Sequence, residues 1–223
     1  MNACDFSGAQ VVALRASTDG DRVMIRVKGM LDGKAVFKTF SLRVEEYAAL
    51  GFALRDRTPL TAEMLERLEA AARASGAYSR GLHILGYGAN SARTLEKKLT
   101  EKGFSHEVAQ RAVGALSERG YLQEERDACR AAGQIFRRGR GMRRIMQELR
   151  AKGYGDEALQ AARESLANED FVTLCVQVAQ KKCRVLPAER AEREKLAAYL
   201  LRCGFENAQI RAAFDRLLSD REA

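Results

Sequence analysis

At 223 residues, with 46% hydrophobic content, no tryptophan and two prolines, the chain has the composition of a folded, helix-rich protein of modular size. No apolar run approaches the roughly 18–20 residues of a membrane span, so no membrane partner is expected. A formal charge of +8 favours a polyanionic partner, either nucleic acid or an acidic protein surface.

The first 45 residues differ in kind from the rest. Segments 10–16, 22–30 and 35–42 are strand-like, and the second alternates, with Val23, Ile25 and Val27 on one face and Arg22, Met24, Arg26 and Lys28 on the other. Asp19-Gly20 and Asp32-Gly33 supply turns, which predicts a three-stranded antiparallel meander. A basic strand face is either a binding surface or protection against edge-to-edge aggregation. A short helix is expected over 41–50. Thr61 then caps a long helix from 62 to about 85, with an interruption expected at Ser75-Gly76. Ser91 caps the next.

Four times a leucine is followed four residues later by glycine and then an aromatic: Leu99-Gly103-Phe104, Leu116-Gly120-Tyr121, Leu149-Gly153-Tyr154 and Leu200-Gly204-Phe205. Glycine at C′ takes the left-handed conformation, and the next residue folds back towards the leucine at C3, so each match predicts a helix end. Three of them belong to a longer repeat: TLEKKLTEKGF over 94–104, RIMQELRAKGY over 144–154 and KLAAYLLRCGF over 195–205. Apolar positions after each also superpose, at Ala109, Ala112 and Leu116, at Leu159, Ala162 and Leu166, and at Ile210, Ala213 and Leu217. Helices are expected near 105–119, 124–138, 142–152, 156–167, 170–183, 189–203 and 206–219. The fold expected is mainly α: tandem three-helix bundles in an elongated curved array, after a small β meander. The divisions expected are 1–60, 61–121, 122–168 and 169–223.

Charge is densest where Arg137, Arg138, Arg140, Arg143 and Arg144 surround Gly139 and Gly141 with no acid among them. The glycines should break the helix and leave the arginines on a loop, with Arg143 and Arg144 in the first turn of the next helix if Gly141 caps it. Cations there oppose the positive end of the helix dipole. A phosphate or carboxylate would relieve that repulsion, because a helix N-terminus and guanidinium forks both donate towards an anion; the alternative is a solvated basic loop. Arg150 and Lys152 extend the surface. Arg93, Lys97, Lys98 and Lys102 form a second cluster, interspersed with Glu96 and Glu101 as on an ordinary charged face.

Site chemistry for an enzyme is not indicated, and no cofactor or metal is expected. His83 and His106 are the two histidines, and neither has ligand spacing to Cys, Asp or Glu. Glu45-Glu46 and Glu124-Glu125 suit the first turns of helices better than catalytic pairs. No phosphate-binding loop is present, and the Gly-x-Gly groups at Gly86–Gly88 and Gly139–Gly141 do not follow strands. The five cysteines, Cys4, Cys129, Cys175, Cys183 and Cys203, show no C-x-x-C pair and no secretory leader precedes them, which predicts free thiols in a reducing, cytoplasmic compartment.

The tandem units, Gly120-Tyr121-Leu122 followed by an acid, and Arg138-Gly139-Arg140-Gly141 leading into RIMQELRAKGY resemble the RecX family of RecA regulators. The strands around Leu31-Asp32-Gly33 and the later Leu60-Thr61 are similar to the form of that family with an extra N-terminal β domain. Departures are Gln123-Glu124 where the family has two aspartates, and Gly86 to Asn90 where it has an arginine-rich approach to the serine. The resemblance implies a monomeric, non-enzymatic modulator that binds RecA filaments on single-stranded DNA and suppresses filament growth, ATP hydrolysis and strand exchange. Weaker electrostatic contact with single- or double-stranded DNA is also implied. The residues expected to dock are Arg137, Arg138, Arg140, Arg143, Arg144, Arg150 and Lys152, with Arg93, Lys97 and Lys98. A nucleic-acid-binding module independent of RecA is the alternative.

Overall fold

A computed structural model describes residues 6–222. Three strands, β1 (Ser7–Ala16), β2 (Arg22–Leu31) and β3 (Lys34–Arg43), are followed by helices α1 (Val44–Ala48), α2 (Ala62–Gly86), α3 (Ala92–Glu101), α4 (His106–Glu118), α5 (Glu124–Arg137), α6 (Met142–Ala151), α7 (Asp156–Ser165), α8 (Phe171–Lys182), α9 (Arg190–Arg202) and α10 (Asn207–Glu222).

The strands form an antiparallel sheet in the order β1-β2-β3. Asp32 and Gly33 both take positive φ, 49° and 74°, which joins β2 and β3 in a two-residue turn of the twist that hairpins favour. Pairing then runs without a break from Leu31↔Lys34 to Arg22↔Arg43. Residues 41–43, expected to open a helix, are therefore strand, because Met24, Val23 and Arg22 pair with them in the ladder. Along the outer edge of β1, the Val11 amide donates to the Thr58 carbonyl at 2.9 Å and the Leu60 amide to Ala9 at 2.8 Å.

The inward face of the sheet, with Ile25, Val27, Phe40 and Leu42, closes on Leu65 and Leu68 of α2. Thr61 caps α2 through its hydroxyl, which accepts from the Met64 amide. The helix continues through Ser75-Gly76, contrary to the sequence expectation. Ser75 is fully buried and its hydroxyl accepts from the Arg43 amide at 2.9 Å, so a residue that favours turns is held in the helix by a partner 32 positions away.

The chain divides into two compact units, one of Met1–Gly88 with Leu95–Leu122, the other of Ala89–Thr94 with Gln123–Ala223. In the first, α2 packs on α4 over Leu95, Leu99, Ala109, Ala112 and Leu116, so closely that a Cβ at Gly81 would lie 2.6 Å from Leu116 Cδ1. The second buries Ile145, Leu149, Leu159, Ala162, Leu196, Leu200, Phe205 and Ile210 in one cluster.

Each predicted leucine–glycine–aromatic helix end is present. Gly103, Gly120, Gly153 and Gly204 have φ of 91°, 74°, 81° and 95°. Phe104, Tyr121, Tyr154 and Phe205 donate their amides to the carbonyls of Leu99, Leu116, Leu149 and Leu200 at 3.0–3.3 Å, which is the six-to-one bond of the Schellman motif. Tyr121 departs in one respect: its ring stands 53% exposed instead of folding back, and the next residue, Leu122, is buried in its place.

Candidate docking surface around helix α6

Helix α6 has two faces. Ile145, Met146 and Leu149 are buried, whereas Arg143, Gln147 and Arg150 lie exposed on the outer side. Arg143 and Arg150 are seven residues apart, two turns along the same side, so their Cα atoms are separated by about 10 Å at 1.5 Å per residue.

Both ends of α6 are anchored by main-chain atoms within the second compact unit. At its start the Gly141 amide donates to the Cys203 carbonyl at 2.9 Å, and the Arg143 amide to Gly204 at 3.2 Å. A Cβ on Gly141 would lie 2.3 Å from the Gly204 carbonyl carbon and oxygen, so only glycine permits this approach. At its end, the Lys152 carbonyl accepts from Ser91 Oγ and Thr94 Oγ1, each at 2.8 Å. Ser91 Oγ also accepts from the Thr94 amide, capping α3 as expected. In both places the start of one repeat helix sits on the glycine-capped end of the next repeat helix.

The structure places Arg143 and Arg144 as the sequence leads one to expect, and Arg137 and Arg138 differently. Gly139, with φ of 80°, ends α5 as its C′ residue, so Arg137 is still helical and Arg138 is the C-cap. Arg143 and Arg144 lie in the first turn of α6 behind its N-cap Gly141. Only Arg140 remains on the connection, and it is half-buried, with Nη1 3.7 Å from Cys203 Sγ. Arg144 Nε pairs with Glu148 at 2.9 Å, which offsets part of the repulsion from the helix dipole. Arg137, Arg138, Arg143 and Arg150 have no salt-bridge partner among the described residues.

Beyond the other end of α6, a cleft of about 600 Å³ is lined by residues that include Asn90, Ser91, Asp127, Arg130, Lys152 and Tyr154. Burial, then the carboxylates of Asp127 and Glu124, push the Tyr154 hydroxyl above its ordinary pKa, so it stays neutral. Arg93 also belongs here, because a Cβ on Gly153 would lie 3.5 Å from its Cβ. Arg130 escaped the sequence reading. Its seven-residue spacing from Arg137 on α5 was the available signal, masked by Asp127, which approaches it at 4.0 Å. Lys97 and Lys98 fall in the first compact unit, where Lys97 faces Glu101 at 3.9 Å.

The residues weighed as catalytic have structural partners. His106 Nδ1 meets Glu96 Oε1 at 2.6 Å, Glu45 pairs with Arg43 and Arg119, and Glu124 accepts from the Ala92 amide at 2.7 Å. Cys129, Cys175, Cys183 and Cys203 are free thiols, and Cys4 lies outside the described residues. Among the described residues no helix is long and apolar enough to cross a membrane.

Comparison with known proteins decides the family. Residues 77–116 match the first three-helix domain of RecX, and residues 168–214 match the third. The regulatory protein RecX of Halorhodospira halophila is 32% identical over 146 residues, covering 65% of this chain and 90% of that protein. The chain belongs to the RecX family. A second relative named regulatory protein RecX, from Trichlorobacter lovleyi, is 31% identical over 147 residues, with 64% of this chain and 96% of the relative covered. A crystal structure of a regulatory protein RecX superposes with a TM-score of 0.74 over 93% of this chain and 99% of that one, at 23% identity. RecX from Lactobacillus salivarius gives 0.60 over 66% of this chain and 97% of its own, at 20% identity. The RecX fold is thus shared where few residues are, and the two matched three-helix domains correspond to α2–α4 and α8–α10.

Proposed function

We propose that this RecX-family protein binds RecA and RecA filaments on single-stranded DNA in the cytoplasm, and that it restrains filament growth, ATP hydrolysis and strand exchange without catalysing a reaction. The observation that carries this reading is the basic outer face of α6, where Arg143 and Arg150 stand two turns apart on a helix held at both ends through hydrogen bonds to its own main chain. Arg137 and Arg138 add to one end, and Lys152, Arg93 and Arg130 to the other. Guanidinium groups held at set spacing make bidentate contacts with carboxylates of a protein filament or with phosphates of its DNA. Arg140 and Arg144, with their internal partners, position the turn rather than present charge.

RecA-catalysed ATP hydrolysis on single-stranded DNA, titrated with this protein at fixed RecA, tests the reading. A fall in rate at protein concentrations well below RecA is expected, and charge reversal at Arg143 and Arg150 should remove it while leaving the circular dichroism spectrum unchanged. An unchanged rate beside tight binding to bare DNA would favour a nucleic-acid module that acts without RecA.

A further inference from the structure

One face of the sheet packs on α2, and the opposite face is open. By alternation and register that open face presents Arg15, Met24, Arg26, Lys28, Met30, Phe37 and Thr39, and no acid occupies it. Phe37 is 50% exposed, Met30 40% and Met24 38%, so three large apolar side chains stand on this face in contact with water. Phe37 lies opposite Lys28 in the β2–β3 register, and the Arg26 guanidinium sits over its ring at 4.7 Å from the centroid. Arg15 stands opposite Met24 on the neighbouring strand.

We propose that this open face is a binding site for single-stranded nucleic acid, with Phe37 as the stacking platform and Arg15, Arg26 and Lys28 as phosphate contacts. Two features select this occupant. The charged side chains of the face are all cationic, which calls for an anionic partner, and its edge strand exposes a planar ring with Met30 diagonally across from it on β2, which calls for a flat apolar surface. A nucleobase with its phosphate meets both requirements, and every base offers a face for stacking. A duplex does not, because its base faces are covered by one another. An acidic peptide meets the charge but leaves the ring and the methionines uncovered. The site lies wholly within the first compact unit and does not depend on RecA.

The test uses the full chain and a fluorescently labelled oligothymidylate, followed by anisotropy. Phe37→Ala should weaken binding about 5- to 10-fold, as loss of one stacked base does, and Phe37→Tyr should retain the affinity. The pair Arg26→Glu and Lys28→Glu should reduce the slope of log affinity against log salt by about 1.4, at about 0.7 per single-strand phosphate contact. In parallel, a 5-iododeoxyuridine oligonucleotide photocrosslinked to the wild-type chain should attach within residues 35–38. Wild-type affinity of Phe37→Ala with crosslinks confined to α5 and α6 would overturn the proposal. So would displacement of the oligothymidylate by polyglutamate of equal charge as readily as by unlabelled oligothymidylate, which would assign the face to an acidic protein partner.

Discussion

Gly141 and Gly204 meet main chain to main chain: a Cβ on Gly141 would enter the Gly204 carbonyl, and one on Gly204 would lie 2.4 Å from the amide nitrogen of Arg144. The pair forms the seat on which the basic helix α6 begins. The direction in which Arg143 leaves the backbone is therefore set by two residues that carry no charge.

Gly141→Ala should destabilise the protein by about 1–3 kcal/mol, the usual cost of forcing atoms into a packed contact, seen as a lower urea midpoint with an unchanged slope. Gly114→Ala supplies the contrast. That glycine lies in the interior of α4, and a methyl group there would meet nothing within 4 Å, so the substitution should stabilise by about 0.5–1 kcal/mol.

Ser91→Ala should cost about 1 kcal/mol, because the α3 cap and one of two donors to the Lys152 carbonyl are lost together. Combining it with Thr94→Val removes the second donor and leaves that carbonyl without either hydroxyl. The double variant should then lose more than the sum of the singles, by about 0.5 kcal/mol or more in a double-mutant cycle.

Asp170 caps α8, accepting from the amides of Val172 and Thr173 at 2.9 Å and from the Thr173 hydroxyl at 2.6 Å. The Thr173 contacts first, then the Arg216 charge, hold its carboxyl below the ordinary value. A depressed folded-state pKa means the unfolded chain takes up the proton first as pH falls, so the stabilisation is complete above the ordinary carboxylate range and disappears as pH drops through the folded value. Asp170→Asn should accordingly have a lower melting temperature than the wild type at neutral pH, and the gap should begin to close below about pH 4. A gap independent of pH would remove the carboxylate from this role.

Burial, with a smaller contribution from Cys203, pushes the Cys175 thiol up to about 12. Iodoacetamide applied to the native protein at mildly alkaline pH should label the half-buried Cys129 and Cys183, and should reach Cys175 and Cys203 only after denaturation. Peptide mapping by mass spectrometry reads the difference directly.

Much of this architecture was legible because its signals are local. A leucine, a glycine and an aromatic within six residues specify a helix end by backbone conformation alone, and Asp32-Gly33 specifies a hairpin in the same way. What escaped the sequence depends on partners far along the chain. Ser75 reads as a helix breaker until the Arg43 amide is seen to reach it, and 41–43 read as helical until Arg22 to Met24 are seen to pair with them. The basic cluster was legible as composition, yet its division was not. Gly139 ends α5 only after Arg137, Cys203 draws in Arg140, and Glu148 takes Arg144, which leaves Arg143 and Arg150 as the outward pair on α6.

The seat of α6 is made from main-chain atoms on both sides, and this frees the rest of those helices to drift. Inherited change can rewrite most side chains along RIMQELRAKGY or KLAAYLLRCGF without touching the hydrogen bonds that join one repeat to the next. The repeats can thus diverge until alignment barely pairs them while the joint survives at two glycines, and a lineage would reveal its ancestry more faithfully at Gly141 and Gly204 than at any of the arginines around α6.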